Sequence, residues 1–270
     1  MKIGRMRHVW VIGCSLALGA WGMFAQEKTN IAPQAERSLR AACQYLAEAP
    51  FFCLTADVWR DHVTASGQKL QFSRTVTLEV KRPNRFHVEI RSPHSERGFW
   101  YDGKSLTLLD RKHNLFSTAP VPGTLDAALD SAHDLFGIDL PLSDLAVSDP
   151  YQNATSNVIK GTDYGLAPVL GVDCHHLAFT QENVDWQVWI QDGPQPLIRR
   201  LVITHKNEPG APEFTAFITR WDLAQRISDA DFVFDPPPGA AKVEMRQEPP
   251  EGREARGPGP STTLTSPKAK

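Results

Sequence analysis

The sequence predicts a mainly antiparallel β fold with some helix (α+β): an open, strongly curved sheet of about eleven strands with about three short helices to cover it. Three observations predict it. Between Phe52 and Thr118, apolar and polar residues alternate in about six successive runs with turns rather than helices between them, so the strands meander antiparallel. The period then becomes helical from Thr124 to Val147. Strand-like alternation resumes at Val158 in about five further runs, the clearest at Val184 to Ile190, where Val184, Trp186, Val188 and Ile190 alternate with Asp185, Gln187 and Trp189. A sheet of about eleven strands curls rather than lying flat, and short helices can plug its mouth.

Taken in order, the chain opens with Lys2, Arg5, Arg7 and His8, then the apolar run Val9 to Phe24, then Ala25 before Gln26. That is the pattern of a secretory signal peptide over residues 1–25, and it implies that the mature protein is exported. As a membrane anchor the run falls short of spanning length, so no stable span is expected in the mature chain. Val11-Ile12-Gly13-Cys14 also fits a lipoprotein processing site, but the apolar run continues well past Cys14, which argues against lipid attachment there. Losing Lys2, Arg5 and Arg7 leaves 26 basic against 31 acidic side chains, a net charge of −5. A mildly acidic chain without a basic stripe is not a nucleic-acid binder. Export puts Cys43, Cys53 and Cys174 in an oxidising compartment. Cys43 and Cys53 flank a helix-to-strand corner and are the expected disulfide; the alternative is three buried thiols.

Asn30 and Pro33 open a helix to about Ala47, with Leu39, Ala42, Cys43 and Leu46 on one stripe, stopped by Ala49-Pro50. Phe52, Leu54, Ala56 and Val58 then alternate as a strand, Ser66-Gly67 turns the chain, and Phe72, Val76, Leu78 and Val80 carry it back. Arg82-Pro83-Asn84 turns into Phe86 to Arg91, and Asp102-Gly103-Lys104 joins Phe99-Trp100-Tyr101 to Leu106 to Leu109 as a hairpin, followed by His113 to Thr118. Thr124 caps a helix bearing Leu125, Ala128, Leu129, Ala132, Leu135 and Phe136 on one face, ended by Gly137. Pro141 to Val147 forms a second helical turn. Later strands include Leu197 to Thr204 and Phe214 to Trp221, and the last runs reach Phe234 before Pro236-Pro237-Pro238. Residues 247–270, poor in apolar side chains, form a disordered tail, which leaves residues 26–246 as one domain, expected to be monomeric.

The alternating apolar set is the candidate lining of a cavity: Leu54, Ala56, Val58, Val76, Leu78, Phe86, Val88, Ile90, Phe99, Tyr101, Trp186, Val188 and Ile190. The alternative is an ordinary core packed against the helices. Leu125, Leu129, Leu135 and Phe136 belong to the lid. Arg74 shares a strand face with Phe72 and Val76, so its guanidinium is the candidate contact for a polar head group. No catalytic residues, cofactor or metal are expected. The chain has no G-x-S-x-G, HExxH or CxxC spacing, and His175 and His176, adjacent on a strand, face opposite sides.

The order of elements, Tyr101-Asp102-Gly103-Lys104, Ala119-Pro120-Val121-Pro122-Gly123-Thr124, Cys174-His175-His176-Leu177-Ala178-Phe179, Val184-Asp185-Trp186-Gln187-Val188-Trp189-Ile190 and the closing Phe232-x-Phe234-x-Pro236-Pro237-x-Gly239 resemble the LolA/LolB superfamily of bacterial envelope proteins. More narrowly they look like a family of predicted periplasmic proteins of unknown function within it. The resemblance implies a LolA-like half-barrel with a hydrophobic cavity, and a non-enzymatic binding protein or carrier whose partner is a lipid or an acylated lipoprotein. Relatives that regulate envelope stress imply the alternative, a regulatory or scaffolding module that binds an envelope protein in its groove. Fold alone does not choose between them.

Overall fold

The computed structural model describes residues 30–121, 123–224 and 228–245; the signal segment, Cys14 and the tail lie outside the described residues. Strand β1 (Asn30–Ile31) precedes helix α1 (Pro33–Glu48), which presents Leu39, Ala42, Cys43 and Leu46 to the core. Six strands follow without an intervening helix: β2 (Phe51–Val63), β3 (Lys69–Lys81), β4 (Arg85–Arg91), β5 (Glu96–Tyr101), β6 (Ser105–Asp110) and β7 (Leu115–Pro120). The helical segment holds α2 (Leu125–Phe136), a 3-10 turn at Ser143–Leu145, and α3 (Pro150–Thr155). Five strands complete the meander: β8 (Lys160–Val169), β9 (Val172–Thr180), β10 (Val184–Gln191), β11 (Ile198–His205) and β12 (Glu213–Asp222), and β13 (Ala241–Lys242) adds a short edge.

All thirteen strands form one open sheet in the order β1-β8-β9-β10-β11-β12-β2-β3-β4-β5-β6-β7-β13. Every pairing is antiparallel except the two at the edges, β1 with β8 and β13 with β7. The two meanders join where β12 lies against β2, with Phe214 opposite Arg60 and Trp221 opposite Leu54. This is the half-barrel of about eleven long strands that the alternation predicts, extended by two short edge strands.

The helices follow local rules. Thr124 accepts from the Ala127 amide at the start of α2, and Gly137 ends it at φ 61°, a left-handed cap suited to glycine. The helical turn expected within Pro141 to Val147 is the 3-10 turn Ser143–Leu145, and the third helix is α3, whose Asp149 cap accepts from the Gln152 amide before Pro150 in the first turn. The run through Phe234 is not a strand: Asp229–Phe232 is a 3-10 turn with a Ser228–Asp231 capping box. Phe234 leaves that turn to pack on Trp100 and Phe116, each 5.1 Å away.

The expected Cys43–Cys53 disulfide is absent, and Cys43, Cys53 and Cys174 are free, buried thiols. Strand alternation explains the correction. Phe52 and Leu54 face the core that α1 covers, so Cys53 between them faces the other side of the sheet. Cys43 belongs to the core cluster itself. The two thiols are separated by the sheet they flank.

Candidate functional site

The concave face is built from cross-strand rows that the register defines. One runs Phe179, Trp186, Ile203, Phe214, Arg60 and Phe72 across β9, β10, β11, β12, β2 and β3. The next, one step deeper, runs Leu177, Val188, Leu201, Ala216, Val58 and Arg74 on the same six strands. Phe179 and Trp186 stack 4.0 Å apart, which fixes the start of the first row. Deeper still, Leu54, Ala56, Val76, Leu78, Phe86, Val88, Phe99 and Tyr101 are buried in the principal core.

The candidate lining residues thus share one face and one cluster. They meet the lid there: Leu125, Ala128, Ala132 and Phe136 of α2, together with Ile138, Leu140, Leu142 and Leu145, belong to the same core, and Leu129 and Ile90 pack at its margin. The side chain of Leu135 lies outside the described residues. Polar bonds pin the lid at both ends. Tyr101 donates from its hydroxyl to the Thr124 carbonyl at 3.3 Å, and Asp126 accepts from the Ser148 amide at 2.7 Å and from its hydroxyl. Arg82 donates to the carbonyls of Ala146 and Leu46, tying the β3–β4 corner to both the lid and α1. In this conformation the lid occupies the space over the lining set. Two openings lie elsewhere: a groove of about 640 Å³ at Gln195, Leu197, Arg199 and residues 219–224, and a recess of about 190 Å³ bordered by Asp57, Trp59, Ser73, Arg74, Thr75 and residues 91–93.

The lid does not cover the whole concave face. Leu201, Ile203 and Phe214 are only partly buried, and Phe72 and Leu70, at the end of the long β2–β3 hairpin, are 55% and 37% exposed. Arg60 and Arg74 stand in this uncovered stretch. Burial pushes Arg60 down to about 10, helped by the nearby positive charge of Arg74 and opposed by Glu208 and Asp139. Arg74 is lowered by burial, opposed by Asp139. Both stay charged at neutral pH. Arg74 was legible as an arginine among apolar strand residues; Arg60 opens the unremarkable polar run Arg60-Asp61-His62, and only the pairing with β3 brings it beside Arg74.

The outer face carries a different row. Trp189 stacks on His176 at 4.2 Å, Arg200 lies 4.4 Å from the Trp189 ring and 4.8 Å from Phe217, and Phe217 meets Trp59 edge-on at 5.6 Å. His176 also bonds Gln187 at 2.9 Å, while His175 turns toward Asp192. The two histidines face opposite ways and are each partnered. Among the described residues no three His, Cys, Asp or Glu side chains are grouped to hold a metal ion, and no described helix is long and apolar enough to cross a membrane.

Among solved structures, the chain is similar to an uncharacterized conserved protein from Thermus thermophilus (11% identity, 78% of this chain and 99% of that one, TM-score 0.46). It is also similar to the lipoprotein LppX of Mycobacterium tuberculosis (11% identity, 73% and 99%, TM-score 0.44) and to a LolA superfamily protein from Nitrosomonas europaea (10% identity, 74% and 97%, TM-score 0.39). No curated protein matches the chain. The family described as "Predicted periplasmic protein (DUF2092)" matches residues 35–246. The chain belongs to that family, whose description places it in the periplasm.

Proposed function

We propose that the protein is a non-enzymatic periplasmic binding protein for an apolar ligand, a lipid or the acyl chain of a lipoprotein, which takes the place of the lid on the concave face. The observation that carries this reading is the shared cluster. The apolar side of α2 and the turns after it belong to one buried cluster with the wall of β2 to β5 and β10 that an acyl chain would cover. Opening the lid exposes that wall; a bound chain covers it again, at about 0.8 kcal/mol for each methylene removed from water. Polar bonds to Thr124, Ser148 and Ala146 pin the lid, and its apolar side chains are held by burial alone, so the exchange swaps one apolar cover for another and leaves the sheet's own pairing intact.

The filled core also favours a second reading. A face already packed by its own lid suits a regulatory or scaffolding module that exchanges the lid for a segment of an envelope protein. A titration of the mature protein with an environment-sensitive fluorescent fatty acid separates the two. Saturable uptake, displaced by unlabelled fatty acid, supports the lipid reading. No uptake, together with a specific crosslinked envelope protein, supports the second.

A further inference from the structure

The uncovered end of the concave face carries positive charge that the fold leaves unanswered. Arg60 and Arg74 lie on adjacent antiparallel strands and face the same side, with Arg60 opposite Phe72 and Arg74 opposite Val58. That is one diagonal step, about 7–8 Å between backbones, within which two long side chains converge on a common group. Neither makes a hydrogen bond or an ion pair among the described residues, whereas Arg82, Arg85, Arg111 and Arg199 all do. Two acids, Asp139 and Glu208, lie within electrostatic reach, but neither touches either guanidinium; Asp139 contacts His133 at 2.8 Å, and Glu208 lies 3.6 Å from His205. Two guanidinium groups side by side repel, and an anion placed between them relieves that repulsion.

The surroundings say what kind of anion completes the pair. Phe72, 55% exposed, stands directly across from Arg60 and two residues before Arg74 on the same face, with Leu70 beyond it and half-buried Phe214 on the other side of Arg60. A free inorganic ion has no use for such a shelf. An anion attached to an apolar chain fits both halves: its oxygens take the guanidinium forks, and its first methylenes lie on the aromatic rim before the chain continues onto the face that the lid vacates.

We propose that Arg60 and Arg74 together bind the anionic head group, a phosphate or a carboxylate, of an acyl amphiphile whose chain follows the two apolar rows toward the lid. The inference rests on the apolar-ligand reading above and names the ligand's head. Its test is calorimetric titration of the mature protein with decyl phosphate, 1-decanol and inorganic phosphate, each below micelle-forming concentration, repeated on the double variant Arg60→Gln/Arg74→Gln. The expected result is that decyl phosphate binds at least about tenfold more tightly than 1-decanol, and that the double variant loses this preference while its affinity for 1-decanol is unchanged. Because both charges lack partners, the variant should keep or gain thermal stability, which separates lost selectivity from lost fold. Equal affinity for the two decyl probes, or a preference that survives in the variant, overturns the head-group site and leaves the apolar-ligand reading standing. Arginine-dependent binding of inorganic phosphate, with neither decyl probe binding more tightly, overturns both.

Discussion

Arg82 donates from Nη1 to the carbonyl oxygen of Ala146 at 3.0 Å, so one side chain at the β3–β4 corner holds the turn that closes the lid. Its Nη2 reaches Leu46 at the end of α1 at 3.4 Å, so the same guanidinium joins the sheet to both covering elements. Arg82→Ala should therefore cost about 2 kcal/mol, the range for charge-assisted bonds of this kind, and should speed entry of an apolar probe. Urea denaturation measures the first and stopped-flow uptake of a fluorescent fatty acid the second. An unchanged entry rate in a destabilised variant would mean that Arg82 supports the fold without governing the lid.

Phe136 tests whether lid and ligand compete for one space. It is buried against the concave face in the core cluster. Phe136→Ala should lower stability by about 3–5 kcal/mol through the cavity it leaves. Under conditions where the variant remains folded, the same cavity should raise affinity for an apolar probe, since less lid has to be displaced. Weakened binding in the folded variant would argue that Phe136 is part of a fixed core.

His87 gives the fold a defined pH dependence. Its Nδ1 lies 3.0 Å from Glu79 and its Nε2 3.1 Å from Glu89, with Trp100 stacked on the ring at 4.7 Å. Burial pushes its pKa down, but the hydrogen bonds to Glu79 and Glu89 outweigh it and leave the value raised. A raised folded pKa makes the stabilisation complete below the unfolded histidine value near 6.5 and removes it as pH climbs through the folded value. Denaturation midpoints for the native chain should therefore fall from pH 6 to 9 more steeply than those of His87→Gln. Parallel curves would contradict the imidazolium assignment.

The thiols give a chemical check on the sheet. Burial pushes Cys43 up to about 12 and Cys53 up to about 11, so neither offers a thiolate to a reagent at neutral pH. The native protein should resist iodoacetamide at both positions, alkylate at both once unfolded, and melt at the same temperature with or without a reductant. A melting temperature lowered by reductant would restore the disulfide and require the Cys43 and Cys53 side chains to meet on one side of the sheet.

Much of this architecture was legible because strands announce themselves by alternation. Val184 to Ile190, Phe86 to Arg91 and Phe52 to Val58 have two unlike faces, and the structure keeps those faces. The break to helical period at Thr124 was equally plain. What local pattern could not reveal was partnership across the chain. The β12–β2 pairing joins segments more than 150 residues apart, and it decides both that the sheet is continuous and that Arg60 faces Phe214. The two-residue edges β1 and β13 are too short for any periodicity. The signal for α3 was present in Asp149-Pro150, a cap followed by a first-turn proline, but the helix is short enough to read as loop. The disulfide expectation used sequence proximity where strand alternation, already visible in Phe52-Cys53-Leu54, argued against it.

The central claim is that an apolar ligand takes the place of the lid. The most direct measurement is mass spectrometry of the mature protein purified from a periplasm without detergent, under native conditions and after solvent extraction. A discrete added mass that extraction resolves into a fatty acid, a phospholipid or an acylated peptide is the predicted result, and it would name the ligand class. A clean apoprotein mass that stays unchanged after incubation with those same lipids would contradict the claim and leave the protein-binding module as the reading to pursue.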